Sequence, residues 1–228
     1  MTTIEIEFVL KKEPSCLWLS QVLYAAVAQG SRFNSGKFSG TYWITPNSEP
    51  TNEIKRTVSD EIDRTELIAE AIDVYSDCNP ENTRFYLSTT YVAADPNLPV
   101  RLKLHPSENA FILSMETNVP DIEDGDHFRE FLSLPQALFE RFEFIYGGSV
   151  TGEDFLPDTQ EDAFTDHPRA VTLYPPEMVE EIGREKLLSA PAATVTELHD
   201  GSVFLLMSES PLGAGFTTRK AIEEHLSG

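Results

Sequence analysis

The strictest pattern in the chain stands at its start. In residues 3–10, TIEIEFVL, Ile4, Ile6 and Phe8 fall on one parity and Glu5 and Glu7 on the other. A period of two is the repeat of a β-strand with one apolar face, so the chain must build a sheet and cover one side of it. After the break KKEPS, Cys16–Ala28 reads as a buried helix with Ser15 as its N-cap. Gly30, Gly36 and Gly40 mark a turn-rich connection into a second strand, TYWIT, and Pro46–Glu53 is polar and loop-like. From about Val58 to Tyr75, Ile62, Leu67, Ile68, Ala71, Ile72 and Tyr75 recur at three and four, which predicts an amphipathic helix ended by SDCNP.

Three strands follow: RFYLSTTYV, VRLKLH and AFILSME, separated by turn-forming AADPNLP and PSEN. The run from Asp121 to Tyr146 opens with acids suited to a helix N-terminus. It then places Phe128, Phe131, Leu132, Leu138, Phe139 and Phe142 at helical spacing, with Pro135 expected to kink or split the helix. Residues 147–169 show no periodicity and read as a long acidic loop. The tail supplies a strand AVTLY, a helix PPEMVEEIGREKLL with proline at its start, two strands joined at Asp200-Gly201, and a final helix TTRKAIEEHL. The expected fold is α+β, a mostly antiparallel sheet with helices packed on one face, in a single globular domain over residues 1–228. Strand, helix, strands and helix recur roughly twice, which admits two related halves at 1–95 and 96–228, although the halves share no alignable sequence.

Composition narrows the function. An apolar content of 40% in 228 residues is enough to fill a core. The N-terminus lacks the basic-then-apolar order of a signal peptide, and no apolar run is long enough to span a bilayer, so a cytoplasmic protein is expected. Two cysteines, Cys16 and Cys78, fit that compartment as half-buried apolar thiols. The net charge is −21, and it is uneven: residues 1–75 hold 11 acids and 7 bases, residues 76–228 hold 27 acids and 10 bases. Such a surface repels phosphate backbones and anionic lipid heads, which argues against direct nucleic-acid or membrane binding. With 7 lysines against 25 glutamates, the acidity fits either salt adaptation or a face that steers a basic protein partner.

The motifs of common chemistries fail at defined positions. An EF-hand laid on DTQEDAFTDH from Asp158 puts Ala163 where glycine is needed and Arg169 where the bidentate glutamate belongs; DIEDGDHF has Phe131 in the corresponding place. The histidines, His105, His127, His167, His199 and His225, form no H-E-x-x-H pair, so no metal site is assigned. GGSVTG puts Thr151 two residues after Ser149 where a nucleophile elbow needs glycine, and no phosphate-binding glycine loop occurs. No catalytic residue and no cofactor are assigned. Trp18, Tyr24 and the Phe128–Phe144 series read as core, while one ring of Tyr42-Trp43 should face solvent as an interface anchor.

From Ala170 onward the order of signals resembles the C-terminal part of immunity proteins of polymorphic-toxin and type VI secretion systems. The residues that carry it are the strand with Leu173-Tyr174, the helix EMVEEIGREKLL with Ile182-Gly183, the hairpin around Asp200-Gly201 and PLGAG before the last helix. The tryptophan that such families often carry in the strand before the helix is absent from AVTLYPP. The resemblance implies a non-enzymatic α+β protein that binds and neutralises a cognate toxin. On this reading the partner is a basic protein, met by Glu153, Asp154, Asp158, Glu161, Asp162 and Asp166, with Phe155 or Phe164 as anchor. The alternative is an enzyme or small-ligand-binding protein of a salt-adapted organism, with a pocket between the two halves.

Overall fold

Why the first strand alternates becomes clear from its neighbours in the computed structural model, which describes residues 3–29, 40–45, 54–58, 73, 84–91, 98–106, 110–123, 125–150, 168–210 and 216–228. Strand β1 (Thr3–Leu10) lies in the middle of the sheet and not at its edge. The elements that follow are α1 (Cys16–Gln29), β2 (Gly40–Thr45), β3 (Ile54–Val58), β4 (Arg84–Tyr91), β5 (Leu98–Pro106) and β6 (Phe111–Asn118). A 3₁₀ turn (Val119–Ile122) leads to α2 (Gly125–Arg141), β7 (Phe144–Val150), β8 (Val171–Tyr174), α3 (Pro176–Ile182) and α4 (Arg184–Leu188). The chain closes with β9 (Thr194–Glu197), β10 (Val203–Leu206) and α5 (Phe216–Ser227). The strands form one sheet in the order β3-β2-β4-β5-β6-β1-β7-β8-β10-β9. Every neighbouring pair is antiparallel. The α+β class and the antiparallel sheet are as the sequence indicates.

Even-numbered β1 residues carry the larger core. Ile4, Ile6, Phe8 and Leu10 pack with Leu19 and Val22 of α1 and with Phe128, Phe131, Leu132, Leu138 and Phe139 of α2. Ser15 caps α1 as expected, its hydroxyl accepting the Trp18 N–H at 3.1 Å. Helix α2 runs through Pro135 without splitting. The helices do not share one face. Val9, Tyr146, Tyr174, Val203 and Leu205 point the other way and pack with Met178 and Val179 of α3, Leu187 of α4 and Ile222 of α5. Strands β8 and β10 are buried at all four positions, VTLY and VFLL, because helices cover both of their sides.

Two sequence expectations shift here. Val58 closes strand β3 instead of opening a helix; the rest of the expected helix lies outside the described residues except Asp73, which is helical. The helical run ends at Arg141, and Phe144–Val150 is a strand, so residues 147–150 leave the expected acidic loop. Gly147 fits the crowding there: a Cβ would sit 3.0 Å from Phe8, 3.2 Å from Leu173 and 3.2 Å from Phe139, so any larger residue would push these side chains outward. Strand β1 of the first expected half is hydrogen-bonded between β6 and β7 of the second.

Candidate functional site

At one end of the sheet, β1 and β7 meet with a register shift: Val9 faces Tyr146 and Leu10 faces Phe144, so Ile145 is the extra residue of a bulge. Bulges bend a strand and redirect the side chains beside them. Here the shift brings Lys11 and Glu143 together at the sheet end, with the Lys11 N–H donating to the Glu143 carbonyl at 3.4 Å. The C-terminus of α2, the Pro175-Pro176 entry to α3 and the β9–β10 hairpin tip close on the same point. They enclose a cleft of about 220 Å³, lined by Phe139–Phe144, Lys11, Pro175, Pro176, Glu177 and Asp200.

The hairpin tip is held in place by hydrogen bonds. Gly201 adopts φ of 88° and its N–H donates to the Leu198 carbonyl at 3.1 Å, a turn that the Asp200-Gly201 pair signals in the sequence. Asp200 Oδ1 accepts the Ser202 N–H at 3.0 Å and the Ser202 hydroxyl at 2.5 Å. Glu140 Oε1 reaches across from α2 to accept the His199 N–H at 2.8 Å. On the other rim, Lys11 Nζ lies 2.8 Å from Glu177 and Lys12 Nζ 2.7 Å from Glu143. The hydrogen bond to Glu177 and its charge raise the Lys11 pKa; the same bond lowers that of Glu177, and the Lys12 bond lowers that of Glu143. These pairs are exposed, so they orient side chains more than they stabilise the fold.

A second polar group lies on the sheet face opposite α1 and α2. Lys103 Nζ sits 2.9 Å from Glu5 and 2.7 Å from Glu116, the Ser114 hydroxyl donates to the same Glu5 oxygen at 2.6 Å, and Arg101 is 3.5 Å from Glu116. Burial works against the charged Lys103, but its bonds to Glu116 and Glu5 outweigh that cost and its pKa is raised. Glu5 and Glu116 stand directly opposite in register, so Lys103 separates two carboxylates that would otherwise repel. Lys103→Met is expected to cost roughly 2–3 kcal/mol, since it leaves the half-buried Glu5 and the buried Glu116 without their shared cation. Urea midpoints will measure this, and a variant as stable as the parent would show the trio to be energetically neutral.

Further along the same face, Tyr146 is fully buried and hydrogen-bonded to Thr172 and Arg169. Burial pushes its phenol up to about 12, and burial raises Tyr174 as well. Ser149 is also buried, and its hydroxyl accepts the Val171 N–H at 3.0 Å. That bond joins β7 to β8.

The residues the sequence offers for partner contact, Glu153, Asp154, Phe155, Asp158, Glu161, Asp162, Phe164 and Asp166, lie outside the described residues. So do Cys78 and His167, and of the side chains of Tyr42, Trp43 and His105 nothing is described. Cys16 is half-buried against the larger core. Among the described residues no three His, Cys, Asp or Glu side chains gather as a metal shell, and no helix is long and apolar enough to cross a membrane. Trp18 packs edge-on against Phe142 and Phe144, as a core residue should, but Tyr24 is 42% exposed and Leu17 70% exposed. Helix α1, CLWLSQVLYAAVAQ, is apolar almost all round, which hides its outward side from a periodicity argument. The cleft carboxylates Glu140, Glu143 and Glu177 were equally hidden, because each looks in its own segment like an ordinary solvated side chain. The chain matches no family model, no curated protein and no solved structure.

Proposed function

We propose that this protein works inside the cell by stoichiometric binding of a basic protein, as an immunity or inhibitor protein blocks a cognate toxin. The observation that carries the reading is the charge: −21 overall, with 27 acids against 10 bases after residue 75 and six acids without one Lys or Arg between 151 and 167. A carboxylate surface of that density accelerates encounter with a cationic partner and rejects nucleic acid and anionic lipid. The resemblance of the segment from Ala170 to immunity proteins supports the same reading. In it, the run Glu153–Asp166 supplies steering, and Phe155 or Phe164 supplies an apolar anchor.

The test is capture with an affinity-tagged full-length chain in cells of its source. The expected result is a one-to-one complex with a basic protein by native mass spectrometry, loss of that protein's toxicity or enzymatic activity on mixing, and an association rate that falls steeply with salt. An association rate that does not change as screening tightens from about 10 Å at 0.1 M to about 3 Å at 1 M would count against steering. A captured protein whose activity is untouched by the complex would overturn the inhibitor reading. The ratio of 7 lysines to 25 glutamates favours a second reading, a salt-adapted enzyme or small-ligand binder. That reading expects the isolated chain to unfold when molar salt is removed, and a chain that stays folded in dilute buffer excludes it.

A further inference from the structure

We propose that the cleft between α2, β7 and the β9–β10 hairpin is the anchor pocket for a lysine or arginine side chain of the partner, an assignment that rests on the binding function proposed above. Of its four carboxylates, two are already neutralised: Glu177 by Lys11 and Glu143 by Lys12. The other two, Glu140 and Asp200, are bonded only to N–H and O–H donors, each through one oxygen, and no cation among the described residues pairs with either. The His199 N–H bond holds Glu140 against the hairpin tip, where Asp200 is the next residue, and the bonds of each carboxylate engage only one of its oxygens.

The backbone adds an independent attraction. Helix α2 is 17 residues long and its C-terminus opens on the cleft. The last carbonyls of such a helix carry a partial negative charge that favours a cation at close range. The chain's own Arg141 stands in that last turn, with its guanidinium carbon 5.8 Å from the centre of the Phe142 ring. Part of the lining is apolar: Phe142, Pro175 and Pro176 join the buried pair Phe139 and Phe144, whose ring centroids lie 5.7 Å apart. An apolar wall with carboxylates at one end fits a side chain with a methylene stem and a charged head. An anion would meet Glu140 and Asp200 directly and is disfavoured.

The test uses the full chain, amide NMR and three blocked tripeptides, acetyl-Gly-Arg-Gly-amide and its Lys and Glu counterparts. The Arg and Lys peptides should give saturable shifts confined to residues 138–143 and 198–202, and the Glu peptide none. Glu140→Gln with Asp200→Asn keeps both hydrogen-bond acceptors of the hairpin and should weaken binding about tenfold or more. Glu223→Gln with Glu224→Gln, the same charge change on α5, should leave it unaltered. Arg141→Gln removes the resident cation and should tighten binding, which keeps the test sound if the first double variant disturbs the hairpin. Equal weakening by both double variants, or shifts spread over the whole acidic surface, would show diffuse charge and overturn the pocket. The two proposals separate cleanly. A partner bound equally by the parent and by the Glu140/Asp200 variant removes the pocket and leaves the function; peptide binding at the cleft without any protein partner does the reverse.

Discussion

Replacing Phe8 by alanine lowers stability by roughly 3–5 kcal/mol, enough to unfold a marginal domain at physiological temperature. Phe8 is fully buried, and its ring lies 4.9 Å from that of Phe144 and 6.3 Å from that of Phe139. It also covers Gly147, so the removed ring opens a space bounded by a backbone that has no side chain to fill it. Neighbouring strands on both sides fix β1, so the site cannot collapse to recover the lost contacts. Chemical denaturation of the parent, Phe8→Ala and Phe8→Leu will check this, with Phe8→Leu expected to retain more than half of the lost stability. A Phe8→Ala loss below about 1 kcal/mol would mean that the core around β1 is loosely packed.

Raising the pH from 10 to 12 should unfold the protein. The folded state holds the Tyr146 proton up to about 12, whereas the unfolded chain releases it at the ordinary value of 10.0. Because the folded pKa is the higher, stability is complete below pH 10 and falls by about 1.4 kcal/mol per pH unit for this one group as pH climbs toward 12. Tyr174 is shifted in the same direction by burial, which steepens the fall. Lys103 acts with the same sign: its raised pKa gives stability that is present below 10.5 and is lost as pH rises through the folded value. Circular dichroism followed from pH 8 to 12, with absorbance of ionised tyrosine recorded in parallel, should show buried phenols titrating only as the fold is lost. Tyr146→Phe should flatten the pH dependence by one proton. If all tyrosines ionise near pH 10 with the fold intact, the burial of Tyr146 and Tyr174 is not as described.

The parts of this fold that could be read from sequence are those whose cause is local. The TIEIEFVL alternation, the Ser15 cap and the Asp200-Gly201 turn each carry their own signal within a few residues. Strand β3 did not, because Lys55 and Arg56 break any alternation in IKRTV. Strand β7 did not either, since Gly147 and Gly148 read as a loop until Phe8, Phe139 and Leu173 are seen pressing on the first of them. The run VFLLM is apolar on both parities, which is the mark of a strand covered twice, and it contained the evidence that the C-terminal helices lie across the sheet from α1 and α2. The cleft was beyond reach in principle. Lys11, Glu140, Glu177 and Asp200 come from four separate segments, and only the strand order and the bulge at Ile145 bring them together.

The central place of β1 also sets an order of events. A ribosome makes this strand well before its two partners, β6 and β7, which lie more than a hundred residues further along the chain. Until Asn118 has emerged, Ile4, Ile6 and Phe8 have neither of their final neighbours complete, and one edge of this apolar strand stays open until Val150 follows. Folding dominated by such distant pairings is slow. A protein built this way closes its central contacts long after β1 has been made, and β1 is a segment on which a holding chaperone has time to act.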